Sequence, residues 1–167
     1  MDVRDVTVDD AEEFRALRLR ALREEPEAFG SSWEEESQRS LEQTIARLQA
    51  SDTAAFGGFD DAGKLVGMVR LWREDGIKTQ HKANIISMYV APEARGRGLG
   101  RMLLDVAIAR ARATPGIEQL VLAVVTINTP ARNLYRAAGF EVYGVEPRAL
   151  KLGERYLDEE YMVLILN

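Results

Sequence analysis

The sequence has no cysteine and a single histidine, His81, among its 167 residues. Without thiols the chain cannot form disulfides, thiolate zinc sites or a cysteine acyl-enzyme. One histidine also excludes a multi-histidine metal site, and we expect no metal. No apolar run reaches the roughly 20 residues that a membrane span needs, and the N-terminus shows no signal-peptide pattern. We therefore expect a soluble, cytoplasmic protein with no membrane partner.

What the sequence does contain is an ordinary globular composition, with 46% apolar and 29% charged residues. The length predicts one domain over residues 1–167, able to bury about 70% of the surface of its unfolded chain. No internal repeat or low-complexity linker divides it. The sequence leaves a homodimer open as the oligomeric state.

The formal net charge of −5 is unevenly distributed along the chain. Residues 1–61 carry 16 acidic and 7 basic side chains, whereas residues 62–117 carry 4 acidic and 10 basic ones. The middle third therefore favours an anionic ligand and the first third a cationic one. The alternative, that these charges only cover solvated helix faces, stays open here. Nucleic acid is not expected as a partner, because the basic residues sit in one short loop and helix of an acidic chain.

Hydrophobic periodicity and turn residues predict the order β-α-α-β-β-β-α-β-α-β-β. The predicted helices are 11–25, 41–49, 99–113 and 129–138. The predicted strands are 2–7, a hairpin over 53–74, 82–92, 118–125, 140–147 and 160–167. Strands on both sides of the third helix imply a β-α-β crossover. The prediction is an α/β fold with a mixed sheet of about seven strands that includes one parallel pair.

Alternate glycines precede the third predicted helix, in the run Arg95-Gly-Arg-Gly-Leu-Gly-Arg101. The spacing does not fit G-x-G-x-x-G, and no Gly-Lys-Ser/Thr of a Walker loop is present. What remains is a set of backbone N–H groups at a helix start, where the helix dipole adds partial positive charge. Two interpretations stay open from this loop alone: an anion site and a flexible glycine-rich helix start.

Two motifs resemble the GNAT superfamily of N-acetyltransferases. The first, Arg95-x-x-Gly98-x-Gly100 after a strand, is similar to the pyrophosphate loop of that family. The second, NTPARNLYRAAGF at 128–140, is similar to its N-x-x-A-x-x-L-Y-x-x-x-G-F block. The motifs and the element order together cover about residues 53–146. The resemblance implies a single GNAT-type domain in which a splayed pair of parallel strands holds the cofactor.

The resemblance also implies acetyl-CoA as co-substrate. Backbone groups of a strand would pair with the pantetheine amides, the glycine loop would hold the diphosphate, and asparagine side chains would bind the pantetheine arm. The implied cofactor-binding residues are Met88, Tyr89, Val90, Arg95, Gly96, Arg97, Gly98, Leu99, Gly100, Arg101, Asn128 and Asn133.

The family's reaction, direct attack of an amine on the thioester, suits a chain without cysteine. Tyr135 occupies the family's position for the acid that protonates the leaving thiolate. A phenol with an ordinary pKa of ~10 stays protonated at neutral pH and can donate. The alternative for Tyr135 is an amphipathic core tyrosine. A backbone N–H near Tyr89 or Val90 is the expected donor to the oxyanion.

Of the catalytic groups, the general base is the one that the sequence identifies least well. Glu34 is the first candidate, because it follows Trp33 and a Gly-Ser-Ser turn and is expected to point inward toward the acceptor. The alternatives are Glu35, Glu36, Asp158, Glu159, His81 and water.

The sequence thus predicts an acetyl-CoA-dependent N-acetyltransferase that acts on a primary amine of a small molecule or peptide. The acidic first third favours a cationic amine. The alternative function is a non-catalytic acyl-CoA-binding sensor or scaffold, expected to have lost Tyr135 or the glycine loop, and both are present. The sequence does not specify which amine is acetylated or whether longer acyl groups are used.

Overall fold

The structure is a computed structural model that describes residues 1–166; Asn167, the predicted end of the last strand, lies outside the described residues. The helices are α1 Ala11–Glu24, α2 Trp33–Ser37, α3 Leu41–Gln49, α4 Leu99–Ala113 and α5 Thr129–Ala137. The strands are β1 Asp2–Asp5, β2 Thr53–Phe59, β3 Leu65–Arg73, β4 Lys82–Val90, β5 Gln119–Val125, β6 Glu141–Leu152 and β7 Arg155–Ile165. None of the helices within residues 1–166 has the length and apolar character to cross a membrane.

The seven strands form one mixed sheet in the order β1-β2-β3-β4-β5-β7-β6. Neighbouring strands are antiparallel except for β4 and β5, which are parallel because α4 crosses over between them. The predicted α/β class, strand number and parallel pair are confirmed.

Two of the differences from the predicted elements concern acidic residues considered for the site. Residues 33–37, predicted as part of a break, form α2 because Ser32 caps it: the Glu35 N–H donates to Ser32 Oγ at 3.2 Å, and the Glu35 carboxylate accepts from Ser32. This Ser-x-x-Glu capping box is a helix-start signal. Strand β7 begins earlier than predicted, so the acidic run 158–160 lies inside a strand rather than at its entry.

Helices cover both faces of the sheet, as neighbouring residues of β4 show. A Cβ on Gly100 of α4 would lie 3.6 Å from Met88 and 3.6 Å from Leu134 of α5, so α4 and α5 share the face to which Met88 points. Tyr89 points to the other face, since alternate residues of a strand do, and its hydroxyl donates to Glu24 of α1 at 2.7 Å.

The core lies between these layers and the sheet. The predicted apolar stripe of α1 is buried, with Phe14, Leu17, Ala21 and Leu22 at most 5% exposed. On the opposite face, α4 approaches β2 so closely that a Cβ on Gly58 would lie 2.6 Å from Leu99 Cδ1. A larger residue at position 58 would therefore force the Leu99 side chain to move.

Strands β4 and β5 diverge soon after they begin. Their pairing in the described chain is confined to Lys82–Gln119, Ala83–Leu120 and Asn84–Val121. A β-bulge interrupts β4 at Ser87, which has a φ of +56°, and the register with β3 shifts at the same place. A bulge bends its strand and increases the local twist. The predicted splayed parallel pair is therefore present, and the edge of β4 that faces β5 is unpaired from Ile85 to Val90.

Candidate active site

A groove of about 880 Å³ lies between the diverging ends of β4 and β5. Its walls come from the end of β4, the glycine loop, the start of α5 and residues 24–28, which begin at the last residue of α1. The volume falls within the range of ~300–1,000 Å³ that is usual for small-molecule sites. Ten of the twelve residues predicted to bind the cofactor line the groove: Met88, Tyr89, Val90, Arg95, Gly96, Gly98, Leu99, Gly100, Arg101 and Asn128.

The glycine loop presents backbone N–H groups at the start of α4. Gly96 and Gly98 have φ values of +72° and +81°, which side chains rarely tolerate, and a Cβ on either would meet no protein atom within 4 Å. Gly98 is the N-cap of α4, so the first N–H groups of that helix lack intrahelical partners. Open space, orphan donors and the positive end of the helix dipole together suit a phosphate group.

The three loop arginines already have acidic partners. These partners are Glu25 for Arg95, Asp61 for Arg97 at 3.5 Å and Asp105 for Arg101 at 2.8 Å. All three arginine side chains are 45–53% exposed, and exposed ion pairs contribute little. These ion pairs therefore cost little to exchange for an anion, although Arg95 and Arg101 also donate to the Val90 and Ala137 carbonyls. Arg97 is the one loop arginine that does not line the groove.

The two predicted asparagines differ in their placement. Asn128 lines the groove, and its Oδ1 accepts a hydrogen bond from the Ala131 N–H at 3.1 Å, which caps α5. Its amide nitrogen is therefore the atom left to donate to a ligand. Asn133 is exposed on α5 and does not line the groove.

A family model described as the acetyltransferase (GNAT) family matches residues 18–140. The chain belongs to this family. It is an acetyl-CoA-dependent acetyltransferase, and the resemblance that the two sequence motifs carried is confirmed.

Similar proteins and solved structures support the family assignment. The GNAT chain is 35% identical over 135 residues to an L-methionine sulfoximine/L-methionine sulfone acetyltransferase of Pseudomonas aeruginosa, which covers 74% of this chain and 75% of the relative. An acetyltransferase of the GNAT family from Streptococcus pneumoniae superposes with a TM-score of 0.89 at 22% identity over 99% of each chain. A phosphinothricin acetyltransferase from Sinorhizobium meliloti, in complex with acetyl-CoA, superposes with a TM-score of 0.83 at 20% identity over 99% of this chain and 88% of that one. The two superpositions show the GNAT fold.

The unpaired edge of β4 is the second feature of this GNAT site. Met88, Tyr89 and Val90 line the groove on the side where no strand pairs with β4. Main-chain donors and acceptors on such an edge can pair with a peptide-like chain. The Val90 carbonyl already accepts from Arg95 Nε at 2.9 Å, which fixes the loop to the strand end.

Tyr135, the predicted acid, is buried on α5. Its ring packs edge-on against Phe140 at a centroid distance of 6.0 Å, and it follows Leu134, a residue of the groove wall. Burial raises the pKa of the Tyr135 phenol above its ordinary value, so the hydroxyl keeps its proton at neutral pH.

Glu34 lies on α2 with its side chain exposed, outside the groove. It borders a separate pocket between α2 and the β6–β7 hairpin. Glu34 is thus exposed rather than turned toward the groove, and its role as the base stays a prediction. The inward glutamate of the run is Glu36, whose side chain is 12% exposed and lies 3.0 Å from Arg47. Glu36 stands three residues after the half-buried Trp33, and that spacing places both on one helix face.

The alternatives for the base lie in different places. His81 stands before β4, at the opposite end from Val90, and its carbonyl accepts from the Glu118 N–H at 2.8 Å. Asp158 is exposed, and its carboxylate accepts from the Arg148 N–H at 2.7 Å. Neither is brought to the groove.

Glu159 is the acidic candidate that the fold brings nearest to the groove. It alternates along β7 with Glu160, whose carboxylate binds Arg132 of α5 at 2.5 Å, so Glu159 points to the opposite face, that of α1. Its strand partner is Val125, a residue of the groove wall. Burial and the neighbouring Glu146 raise the pKa of the Glu159 carboxyl. A raised pKa brings a carboxylate closer to the range of a working base.

Sequence reasoning missed three features of this face. The bulge at Ser87 leaves no signal in the sequence, because a serine does not predict a positive φ as a glycine does. The segment 24–28, which closes the groove, was interpreted only as a helix end. Arg70 gave a usable signal, since it is the one charged residue in the apolar run Leu65–Trp72.

Proposed function

We propose that the chain transfers the acetyl group of acetyl-CoA directly to the primary amine of a small molecule or peptide bound beside the β4 bulge. The observation that carries this proposal is the groove, which joins the glycine loop to the unpaired edge of β4. Two glycines whose absent Cβ atoms leave open space fit a diphosphate, and a free strand edge fits the pantetheine amides. The Asn128 amide nitrogen adds a donor along the same wall.

Acetyl-CoA supplies the acetyl group as a thioester; the C–S bond breaks as the C–N bond to the amine forms, and CoA leaves as a thiol. The backbone N–H of Tyr89 or Val90 stabilises the negative charge that develops on the carbonyl oxygen. Tyr135 donates its phenolic proton to the departing sulfur. This role is supported by the place of Tyr135 next to Leu134 of the groove wall, and burial keeps its hydroxyl protonated at neutral pH.

Glu159 accepts the proton of the acceptor ammonium, directly or through water. Its position beside the groove and its raised pKa support it over Glu34, which is exposed on another surface. The ammonium itself is cationic, and three glutamates of the groove wall, Glu24, Glu25 and Glu27, favour its approach. Each of these glutamates is also ion-paired with an arginine, so the attraction is moderate.

The test is release of free thiol from acetyl-CoA against a panel of primary amines that includes L-methionine sulfone, a substrate named for the Pseudomonas relative. We expect thiol release that requires the amine, saturates with it and yields an acetylated product by mass spectrometry. A protein that binds acetyl-CoA tightly but releases no thiol with any amine would instead be a sensor or scaffold.

A further inference from the structure

A second, narrow cavity lies behind the β4 bulge on the face of the sheet that carries α1. Its volume of about 20 Å³ has room for one or two water-sized groups. Four arginines contribute to its wall, together with one glutamate and Ser87; the arginines are Arg15, Arg18, Arg47 and Arg70. A cavity of this size fits a small charged group rather than a whole ligand.

Two of these arginines carry buried N–H groups with no acceptor. Arg70 is 7% exposed, and its Nε has no hydrogen-bond partner among the described residues. Nη1 of Arg18 is also buried, and it has no hydrogen-bond partner within residues 1–166. Unsatisfied buried donors are costly and rare in folded proteins, and charged ones more so. Burial lowers the pKa of each guanidinium to about 10, which leaves both charged at neutral pH.

Glu36, whose carboxylate lines the cavity, accepts no hydrogen bond from Arg18 Nη1 or Arg70 Nε. Glu36 Oε1 binds Arg47 Nη1 at 3.0 Å, and its Oε2 lies 3.5 Å from Arg39 Nε. Arg15 is held by carbonyl oxygens of the α2–α3 connection, the nearer at 2.9 Å. The positive charge of Arg18 and Arg70 therefore faces the cavity without an acidic partner of its own.

The cavity adjoins the cofactor groove. Ser87 lines the cavity, and Met88, the next residue, lines the groove. Ser87 and Met88 are consecutive residues at the β4 bulge, so the cavity and the groove meet at that bulge.

We propose that Arg18 and Arg70 bind the carboxylate of the acceptor, so that the enzyme acetylates small amino acids rather than simple amines. The inference rests on the proposed function, because it names the substrate class of that site. It gives the acceptor two charged ends: an ammonium for the base and a carboxylate for the arginines.

The test compares three acceptors in the thiol-release assay: L-methionine sulfone, its decarboxylated amine and its carboxamide. With the wild-type enzyme we expect kcat/KM to fall at least ~100-fold when the carboxylate is removed or neutralised, because buried donors then lose their acceptor. Arg70→Met should raise KM for the amino acid at least ~10-fold and leave the two analogues unchanged. Arg112→Met, at an exposed site on α4, is the matched control and should behave as wild type.

Melting temperature separates binding from structural support. Arg70→Met should melt at or above the wild-type temperature, because a buried, unpartnered charge is replaced by an apolar side chain of similar length. A lower melting temperature with an unchanged preference for the carboxylate would overturn the inference. Equal or faster acetylation of the decarboxylated amine by the wild type would overturn it while the proposed function stands. Absence of acetylation with every amine would refute the proposed function, and this inference with it.

Discussion

Gly98→Glu tests how the cofactor is held. Gly98 has a φ of +81° and lines the groove, and a Cβ there would meet no protein atom within 4 Å. The substitution therefore has two separable costs. Left-handed backbone strain costs about 1–2 kcal/mol of folding stability. The added carboxylate repels the diphosphate, and two like charges 4 Å apart near a protein surface cost about 4 kcal/mol, or roughly a thousandfold in affinity.

Gly63 provides the matched control for the strain. It has a φ of +80° and equally open surroundings, and it lies in the β2–β3 turn outside the groove. Gly63→Glu should therefore lose similar stability in a denaturant titration while it keeps acetyl-CoA affinity. Calorimetric titration of acetyl-CoA into both folded variants separates strain from repulsion. Wild-type affinity in a folded Gly98→Glu protein would refute the role of the loop.

The remaining predictions concern proton transfer. Tyr135→Phe keeps the packing of the ring and should lower kcat by ~10²-fold or more without weakening acetyl-CoA in calorimetry; a kcat within about twofold would mean that another group is the acid. The pKa of Glu159 is raised, so it holds its proton to higher pH, and kcat/KM should fall as the pH drops through that pKa. Glu159→Gln should lower kcat/KM at least ~10-fold and remove this fall in kcat/KM at low pH. Glu34→Gln, at an exposed site, should leave the pH profile unchanged. The reverse result would restore Glu34 as the base.

The parts of the site that depend on local sequence could be predicted. The glycine loop and the Asn128 block are local, because a positive φ, a helix cap and a helix start are set by adjacent residues. Ten of the twelve predicted cofactor residues therefore lie together in one groove. The crossover around α4 likewise follows from element order.

The acceptor side could not be predicted in the same way, since it depends on contacts between distant segments. The sequence interpretation missed α2. The face of α2 that carries Glu36 contacts Arg47, and this leaves Glu34 exposed. The arginine cavity joins residues of α1, α3 and β3, and only the packed fold brings Arg18 within the same pocket as Arg70. Charge balance by segment does not tell which acidic side chains reach the site, because many acidic side chains of residues 1–61 are used in ion pairs, among them Asp10 with Arg4 at 2.8 Å. The expectation of a cationic acceptor stays a prediction.

A crystal structure of the protein with CoA tests the central claim most directly, because that claim is a placement. The account predicts diphosphate oxygens within about 3 Å of the backbone N–H groups of residues 98–101, the distance of an ordinary hydrogen bond. It also predicts the pantetheine arm along the unpaired edge of β4, and the thiol within reach of the Tyr135 hydroxyl. CoA bound outside the groove, or with its thiol directed away from Met88–Val90, would contradict the account.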